Sequence, residues 1–327
     1  MARIVFGMAV PHSGMLGKPG ATWLEDGQRD RDKPVLWYRN KTWTFEELAH
    51  ERRNDGFEAL LTLEEREARS ARCDKALDKM REAYAANTPD VAIIIGKDQR
   101  EIFPHINPSI ALYTGETIPN GPPQRAVYAP DHTVTYDAHP KLATYLIEAF
   151  QDHGFDMAEL MSWPDNTWMK PPSQVVPHAF GFVYTQIMQN QVVPNVPILM
   201  NTFYAPTQPA MSRSIQFGKV LYEAITAWDS AAKVALIASG GLSHFVCDEQ
   251  ADQVFIEKFK AYDFDDLAAI DNNTYQSGTS EVKLYVPVMV AMEKLKAEMT
   301  LVDYVPCYRT EAGTGEGMGF FYWVPKH

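Results

Sequence analysis

The sequence predicts an α/β fold, a single domain with a central, mostly parallel mixed sheet flanked by helices. Four short β-branched runs have the length and continuous apolar character of strands buried on both faces, at residues 4–10, 91–95, 196–200 and 234–238. Helical patterns lie between and after these runs, at about 62–87, 140–152, 211–230, 250–269 and 281–297. Strands that alternate with helices favour a sheet covered on both faces.

The domain organisation can be predicted from the repeats and linkers that a sequence contains. No internal repeat or low-complexity linker divides the chain, so we expect one domain over residues 1–327. Residues 18–55 are polar and rich in Trp, Asp and Arg, and we expect them to form an insertion or lid.

Composition excludes several classes of function. Acidic residues outnumber basic ones 42 to 30, which gives a formal charge of -12 and leaves no basic face for nucleic acid or an anionic membrane surface. No window approaches the roughly 20 apolar residues that a membrane span needs. The first ten residues lack the features of a secretion signal, so we expect a cytoplasmic protein. Three widely spaced cysteines without a CxxC pair predict reduced thiols.

Polar side chains follow each predicted strand. Because ligands of α/β sheets bind at the carboxyl ends of the strands, these side chains define the expected active site. They include imidazole, carboxamide and carboxylate groups, the types that a metal or acid-base site requires. The residues are His12 after the first strand, Asp98, Gln99 and Glu101 after the second, Asn201 and Tyr204 after the third, and Ser243 and His244 after the fourth.

Each candidate also has a purely structural interpretation. His12 could cap the loop after its strand, and His244 could belong to a helix N-terminus. His178, flanked by aromatic residues, could be a buried histidine bonded to the backbone. Glu281 lies in the first turn of a predicted helix, where a carboxylate is favourable to the helix dipole. No single residue therefore assigns a function.

Taken together, the segments resemble the catalytic subunit of class III extradiol ring-cleavage dioxygenases of the protocatechuate 4,5-dioxygenase type. The resemblance runs from about residue 4 to residue 297, and GGLSH with the later Glu281 is its most specific part. The tail, with glycines at 313, 315, 317 and 319, resembles a subgroup without a separate small subunit. The segments are, in order, VPHSGML, PDVAIIIGKDQREIF, NPSIALY, AHPKLATYL, VPHAFGFVY, VPILMNTFYAPTQP, ASGGLSHF and SGTSEVKLYVPVMVAM.

The resemblance implies a non-heme Fe2+ ion held by two histidines and one glutamate, the facial-triad arrangement. His12 matches the first histidine and Glu281 matches the glutamate. The second histidine of the family falls on Gln99, whose amide oxygen is a weaker ligand for iron. Glu101 and His244 are the alternate ligands, and Zn2+ is the alternative metal.

Other family positions imply the catalytic and substrate-binding residues. The general acid-base histidine of the family falls on Ala205, so His178, Tyr204 and His244 are the expected catalytic residues. For the substrate we expect Asn201 at the sheet edge, and Arg100 and Arg309 as partners of a substrate carboxylate. Solvated surface ion pairs are the alternative for both arginines.

The implied function is iron-dependent extradiol, or meta, cleavage of a catechol-type ring, with both atoms of dioxygen incorporated. This reaction belongs to the breakdown of aromatic compounds, and we expect a homodimer or larger homo-oligomer. Two alternatives stay open because a histidine ligand and the usual base are missing. One is a zinc-dependent hydrolase or carbon-carbon lyase on the same fold. The other is a non-catalytic partner subunit of an active homologue.

Overall fold

A nine-stranded sheet forms the centre of the computed structural model, which describes residues 1–122, 128–167, 170 and 172–326. Two short hairpins lie apart from this sheet. The strands, in chain order, are β1 (Arg3–Pro11), β2 (Leu36–Tyr38), β3 (Lys41–Trp43), β4 (Val91–Gly96), β5 (Ile110–Tyr113), β6 (Thr117–Asn120), β7 (Val134–Asp137), β8 (Ala158–Leu160), β9 (Asn195–Met200), β10 (Lys233–Gly240), β11 (His244–Val246), β12 (Met299–Tyr308) and β13 (Thr314–Trp323).

Helices cover both faces of the sheet. The α-helices are α1 (Trp23–Arg31), α2 (Phe45–Glu51), α3 (Phe57–Leu60), α4 (Leu63–Asn87), α5 (Pro140–Asp152), α6 (His178–Phe182), α7 (Met211–Ala227), α8 (Glu249–Ala261), α9 (Phe264–Ala269) and α10 (Val282–Lys294). A π-helical turn, Val183–Ile187, continues α6, and 3-10 turns occupy Gly20–Thr22, Asn272–Tyr275 and Ser277–Glu281.

The strand order of the sheet is β11-β13-β1-β10-β4-β9-β5-β8, with β12 paired to β13. The central strands β1, β10, β4 and β9 run parallel to one another, whereas β13 joins β1 and β5 joins β9 in antiparallel pairs. The predicted α/β fold with a mixed, parallel-centred sheet is therefore confirmed. The four strands predicted from apolar runs are these same central strands, because only strands buried on both faces are continuously apolar.

The core lies in two layers, one on each face of the sheet. Alternate residues of β4 enter different layers, so that Ile93 packs with α5, α7 and α10 and Ile94 packs with α4 and α6. All six residues of β4 are buried. The two layers fix the central strands, and they therefore fix the loops at the carboxyl ends of those strands.

Two predicted helices differ from the observed ones in ways that local geometry explains. The pattern at 250–269 is two helices, because Tyr262 has a φ of 53° and ends α8, and Asp263 then caps α9 by accepting from Asp266 N. The pattern at 281–297 begins as a 3-10 turn that ends at Glu281, so α10 starts one residue later.

Residues 18–55, predicted as an insertion or lid, fold into α1, the β2-β3 hairpin and α2. Leu36, Tyr38, Phe45 and Leu48 form a small apolar cluster with Val246 and Ala312. The segment thus packs beside β11, the strand that carries His244. A role of this segment as a lid stays a prediction.

Two further sequence expectations concern membrane insertion and thiols. No helix within the described residues has the length and apolar character needed to span a bilayer. Cys73, Cys247 and Cys307 are all buried and free, as predicted.

Candidate metal and acid-base site

The carboxyl ends of three adjacent parallel strands bring the central side chains of the site together. His12 directly follows β1, Lys97 directly follows β4, and Ser239 lies near the end of β10, which runs between them. The backbone N–H of His12 donates to Gly240 O at 3.2 Å, which continues the β1-β10 pairing past the strand. The sheet thus sets the spacing of these residues.

Glu281 is the centre of this group. It ends the 3-10 turn before α10 and is fully buried. His12 Nε2 lies 3.4 Å from Oε2 of the carboxylate and His244 Nε2 lies 3.3 Å from Oε1. Lys97 Nζ also contacts Oε1, and both oxygens lack a hydrogen bond of normal geometry from the described residues. Two imidazoles and an ammonium thus surround one buried carboxylate.

The hydrogen bonds of His12 fix which nitrogen faces Glu281. Ser239 Oγ donates its single hydrogen to Ala179 O at 2.6 Å. Its oxygen, 3.1 Å from His12 Nδ1, can therefore only accept, so Nδ1 carries a hydrogen. The neutral ring then has its lone pair on Nε2, directed toward Glu281.

The ring of His244 is held in the same way. Its Nδ1 lies 2.9 Å from the carbonyl of Leu242, which can only accept, so the lone pair of the neutral ring is again on Nε2. Glycine is required beside this ring, because a Cβ on Gly278 would lie 2.1 Å from His244 Cδ2. The backbone thus closes around an imidazole in one orientation.

Burial and charge act in opposite directions on the titratable groups. Burial would raise the pKa of Glu281, but Lys97, and after it His12 and His244, hold the pKa well below its ordinary value. Burial lowers the pKa of His12 despite Glu281. Burial would also lower the pKa of His244, yet Glu281 and Glu316 raise it above the ordinary value. The carboxylate is therefore ionised and collects positive charge.

His178 forms a second unit with Glu101. The first residue of α6, His178, donates its backbone N–H to Glu101 Oε2 at 3.0 Å, and its Nδ1 lies 2.5 Å from Oε1. Burial would lower the pKa of His178, but the charge and hydrogen bond of Glu101 raise it above the ordinary value. The His178 ring lies edge-on to the His12 ring, with 4.7 Å between the centroids. An imidazole that a carboxylate orients therefore adjoins the Glu281 cluster. This cluster consists of His12, Lys97, His244 and Glu281.

The loop after β4 separates the residues predicted there. Glu101 is buried and engaged by His178, whereas Gln99 is only partly buried and has no hydrogen bond to His12, His244 or Glu281 within the described residues. Arg100 is exposed, and its guanidinium lies over the Tyr204 ring, 4.4 Å from the centroid. Burial raises the pKa of Tyr204, so its hydroxyl keeps its proton and cannot accept one as the His178 imidazole can.

The side chains of Asn201 and Arg309 stabilise the fold through contacts with other protein groups. The Asn201 amide donates to Tyr204 O and Thr207 Oγ1, both at 2.8 Å, and its oxygen accepts from Tyr204 N at 2.8 Å, so it holds its own loop. Arg309 Nε lies 2.8 Å from Asp30 Oδ2, in a largely buried ion pair between the β12-β13 hairpin and α1. The Arg309–Asp30 pair was outside the reach of a sequence pattern, because its two residues lie on separate elements, whereas the Asn201 contacts are local to one loop.

A small cavity of about 20 Å³, room for about one water molecule, lies at the same edge of the sheet as Glu281. Its described lining comes from the loops after β4 and β9 and includes none of the cluster residues. The lining residues are Asp98, Phe103, Ile106, Asn107, Pro108, Leu199, Asn201 and Tyr204. Tyr204 and Asn201 thus belong to a cavity wall, as expected for residues at this edge.

Sequence reasoning missed Lys97, which is fully buried. Its signal was a lysine directly after the apolar run VAIIIG, since a charged side chain at the end of a buried strand needs a buried partner. The sequence gives no sign that this partner would be Glu281, which lies 184 positions later in the chain.

The residues that could hold a metal ion are His12, His244 and Glu281. They offer two imidazole nitrogens with fixed tautomers and a carboxylate that accepts no hydrogen bond of normal geometry from the described residues. This set of donor atoms suits a divalent ion. Within the described residues, however, no three His, Cys, Asp or Glu side chains are already placed closely enough to hold an ion together. Lys97 contacts the carboxylate instead. The donor types fit, and the position is shared with an ammonium group.

Comparison with known proteins gives the family. A family model described as the catalytic LigB subunit of aromatic ring-opening dioxygenase matches residues 60–312. The match includes Lys97, His178, His244 and Glu281 and leaves His12 outside. No curated protein matches the chain. The match covers more than half of the chain, so this protein belongs to the LigB family of aromatic ring-opening dioxygenase catalytic subunits.

A buried carboxyl group supports the loop that carries His244. Asp252, in α8, accepts from Ser243 N at 2.8 Å, from Ser243 Oγ at 2.7 Å and from Tyr304 OH at 2.7 Å. Ser243 Oγ in turn accepts from Asp248 N at 2.7 Å. Burial raises the pKa of Asp252 to about 7, against the opposing effect of these hydrogen bonds.

Replacement of Asp252 by Asn should change how stability depends on pH. The folded chain keeps a proton on Asp252 to about pH 7, whereas the ordinary value is 3.8, so ionisation lowers wild-type stability as the pH rises between these values. Relative to wild type, Asp252→Asn should gain up to about 1.4 kcal/mol in unfolding free energy per pH unit over this range. Urea unfolding at a series of pH values measures the difference.

The matched control is Asp265→Asn, at an exposed aspartate of α9. Its stability difference from wild type should stay constant over the same pH range. A constant difference for Asp252→Asn as well would contradict a raised pKa for Asp252.

Proposed function

We propose that this chain cleaves a catechol-type ring in the extradiol manner, with an iron(II) ion held by His12, His244 and Glu281. The observation that carries the proposal is the convergence of two Nε2 lone pairs on one buried, ionised carboxylate. With both imidazoles neutral, the three groups present lone pairs that favour a cation between them, and a 2-His-1-carboxylate set with open positions is typical of non-heme iron oxygenases.

We assign His244, rather than Gln99, as the second ligand beside His12. Gln99 is partly exposed and makes no hydrogen bond to the other donors within the described residues, whereas His244 is buried with its Nε2 toward Glu281. Ser239 and Leu242 orient the two imidazoles, as partners of metal-bound histidines commonly do. Iron(II), when bound, supplies the redox chemistry between dioxygen and the ring.

The proton transfer is assigned to His178. Its Nδ1 is held by Glu101, and we assign Nε2 as the nitrogen that takes a proton from a catechol hydroxyl. The Glu101 carboxylate then stabilises the imidazolium and holds the ring in one orientation, as the acid does in hydrolase triads. The position beside the His12 ring puts this base next to the metal ligands. His178 thus replaces the base that the family carries at the position of Ala205.

The same donor types would hold zinc, so a zinc-dependent hydrolase or lyase is one alternative outcome of the test below. A non-catalytic partner subunit is the other. Family membership favours the dioxygenase over both. Homo-oligomeric assembly and cytoplasmic location stay predictions.

The first test is oxygen uptake after anaerobic reconstitution with iron(II). Wild type should hold iron near one ion per chain and consume dioxygen with catechol, 3,4-dihydroxybenzoate or gallate. Extradiol cleavage gives an aldehyde or keto acid, whereas intradiol cleavage gives two carboxylates, so the product identifies the bond that breaks. His12→Ala should lose both the iron and the oxygen uptake.

The control for this test is His50→Ala, at an exposed histidine of α2. It should behave as wild type. Retention of zinc without oxygen uptake would favour the hydrolase or lyase, and failure to retain any metal would favour the partner subunit.

A second prediction concerns the proton-transfer pair. His178→Gln should lower kcat by about 10²–10⁴, the range of general acid-base catalysis, with the iron content unchanged. Glu101→Gln should lower kcat less, because the imidazole remains in place without its orienting charge. Steady-state oxygen uptake and iron analysis measure the two effects. A His178→Gln variant with wild-type kcat would contradict the assignment.

A further inference from the structure

Lys97 is a buried cation in the middle of the proposed site. Its side chain is fully buried, its Nζ contacts Oε1 of Glu281, and it lies 4.5 Å from the centroid of the Phe203 ring. An ammonium group without water depends on an anionic partner, because desolvation of an unpaired charge is strongly unfavourable. For Lys97 that partner is Glu281.

The two carboxylates of the loop after β4 are already engaged. Glu101 accepts from both the backbone and the ring of His178. Asp98 accepts from the backbone N–H groups of Glu101, Ile102 and Phe103 at 2.9–3.1 Å. If Glu281 becomes a metal ligand, the described residues hold no second carboxylate in contact with Lys97 that could take its place.

A metal ion and Lys97 therefore compete for the same carboxylate. Lys97 and His244 both approach Oε1, so the ammonium occupies the carboxylate oxygen that His244 and Glu281 would offer to an ion. Two positive charges this close in a buried site repel each other strongly. This arrangement also explains why the donors are not already placed closely enough to hold an ion together.

We propose that Lys97 is the resident counter-ion of Glu281, and that it passes to an ionised oxygen of the catechol substrate when the metal takes the carboxylate. Metal and anionic substrate then bind cooperatively, because metal binding takes the anionic partner of Lys97 away and the substrate replaces it. Lys97 would leave Glu281 when the carboxylate becomes a metal ligand, and the catecholate would supply its new partner. This inference rests on the proposed function, since it takes Glu281 as a metal ligand and a catechol as the substrate.

The experiment measures zinc affinity without oxygen, by competition with a chromophoric chelator, so that no turnover occurs. Each protein is titrated alone and with saturating 4-nitrocatechol, whose more acidic hydroxyl is ionised near neutral pH. The ratio of the two zinc affinities is the coupling factor. Lys97→Met removes the charge and keeps most of the apolar stem, and Lys97→Gln is a second neutral variant in case the first does not fold.

In both variants zinc should bind at least about tenfold more tightly than in wild type when 4-nitrocatechol is absent. The coupling factor should fall by at least about tenfold, because direct chelation of zinc by the catechol remains but the ammonium no longer needs a partner. The matched control is Lys283→Met, at a buried lysine that contacts Asn272 and the Tyr275 ring instead of Glu281. It should keep both wild-type values.

Zinc affinity unchanged by Lys97→Met and Lys97→Gln would overturn the proposal. Tighter zinc binding with an unchanged coupling factor would overturn it as well, because the ammonium would then not pass to the substrate. His12→Ala separates this inference from the proposed function. If that variant binds zinc as wild type does, the proposed ligand set is wrong, whatever the lysine variants show.

Discussion

The buried carboxylate of Glu281 is the group on which the rest of the site depends. An ionised carboxylate without water is stable only if positive charge or hydrogen-bond donors surround it. Here the surrounding groups are Lys97, His12 and His244, each from a different element. The strands at this edge therefore bring together the groups that stabilise the charge of Glu281. In the proposed metal chemistry, a bound cation stabilises the same charge.

The two layers of core packing make that arrangement rigid. The strands β1, β10 and β4 are buried on both faces, so the residues directly after them cannot shift relative to one another without disturbing the core. Smaller contacts then select the orientation of each ring, through Ser239 for His12 and through the Leu242 carbonyl for His244. Because its donors are fixed in this way, the site offers the same carboxylate either to Lys97 or to a metal ion.

Much of the fold could be predicted because the central strands carry a continuous apolar pattern. The sheet edge, His12, His244 and Glu281 followed from strand ends and from the resemblance. The antiparallel strands β12 and β13 did not, because their residues read as a glycine-rich tail rather than a strand pair. The partners of Lys97 and Arg309 were also out of reach, since pairs formed between separate elements leave no local pattern in the sequence.

The central claim is that His12, His244 and Glu281 hold a metal ion through two Nε2 atoms and a carboxylate. A crystal structure of the zinc-loaded protein, grown without oxygen and recorded at the zinc absorption edge, tests it directly. The account predicts one anomalous peak bonded to His12 Nε2, His244 Nε2 and Glu281, with Lys97 Nζ displaced from Oε1. A peak bonded to Gln99 in place of His244, or no peak with Lys97 still on Glu281, would contradict it.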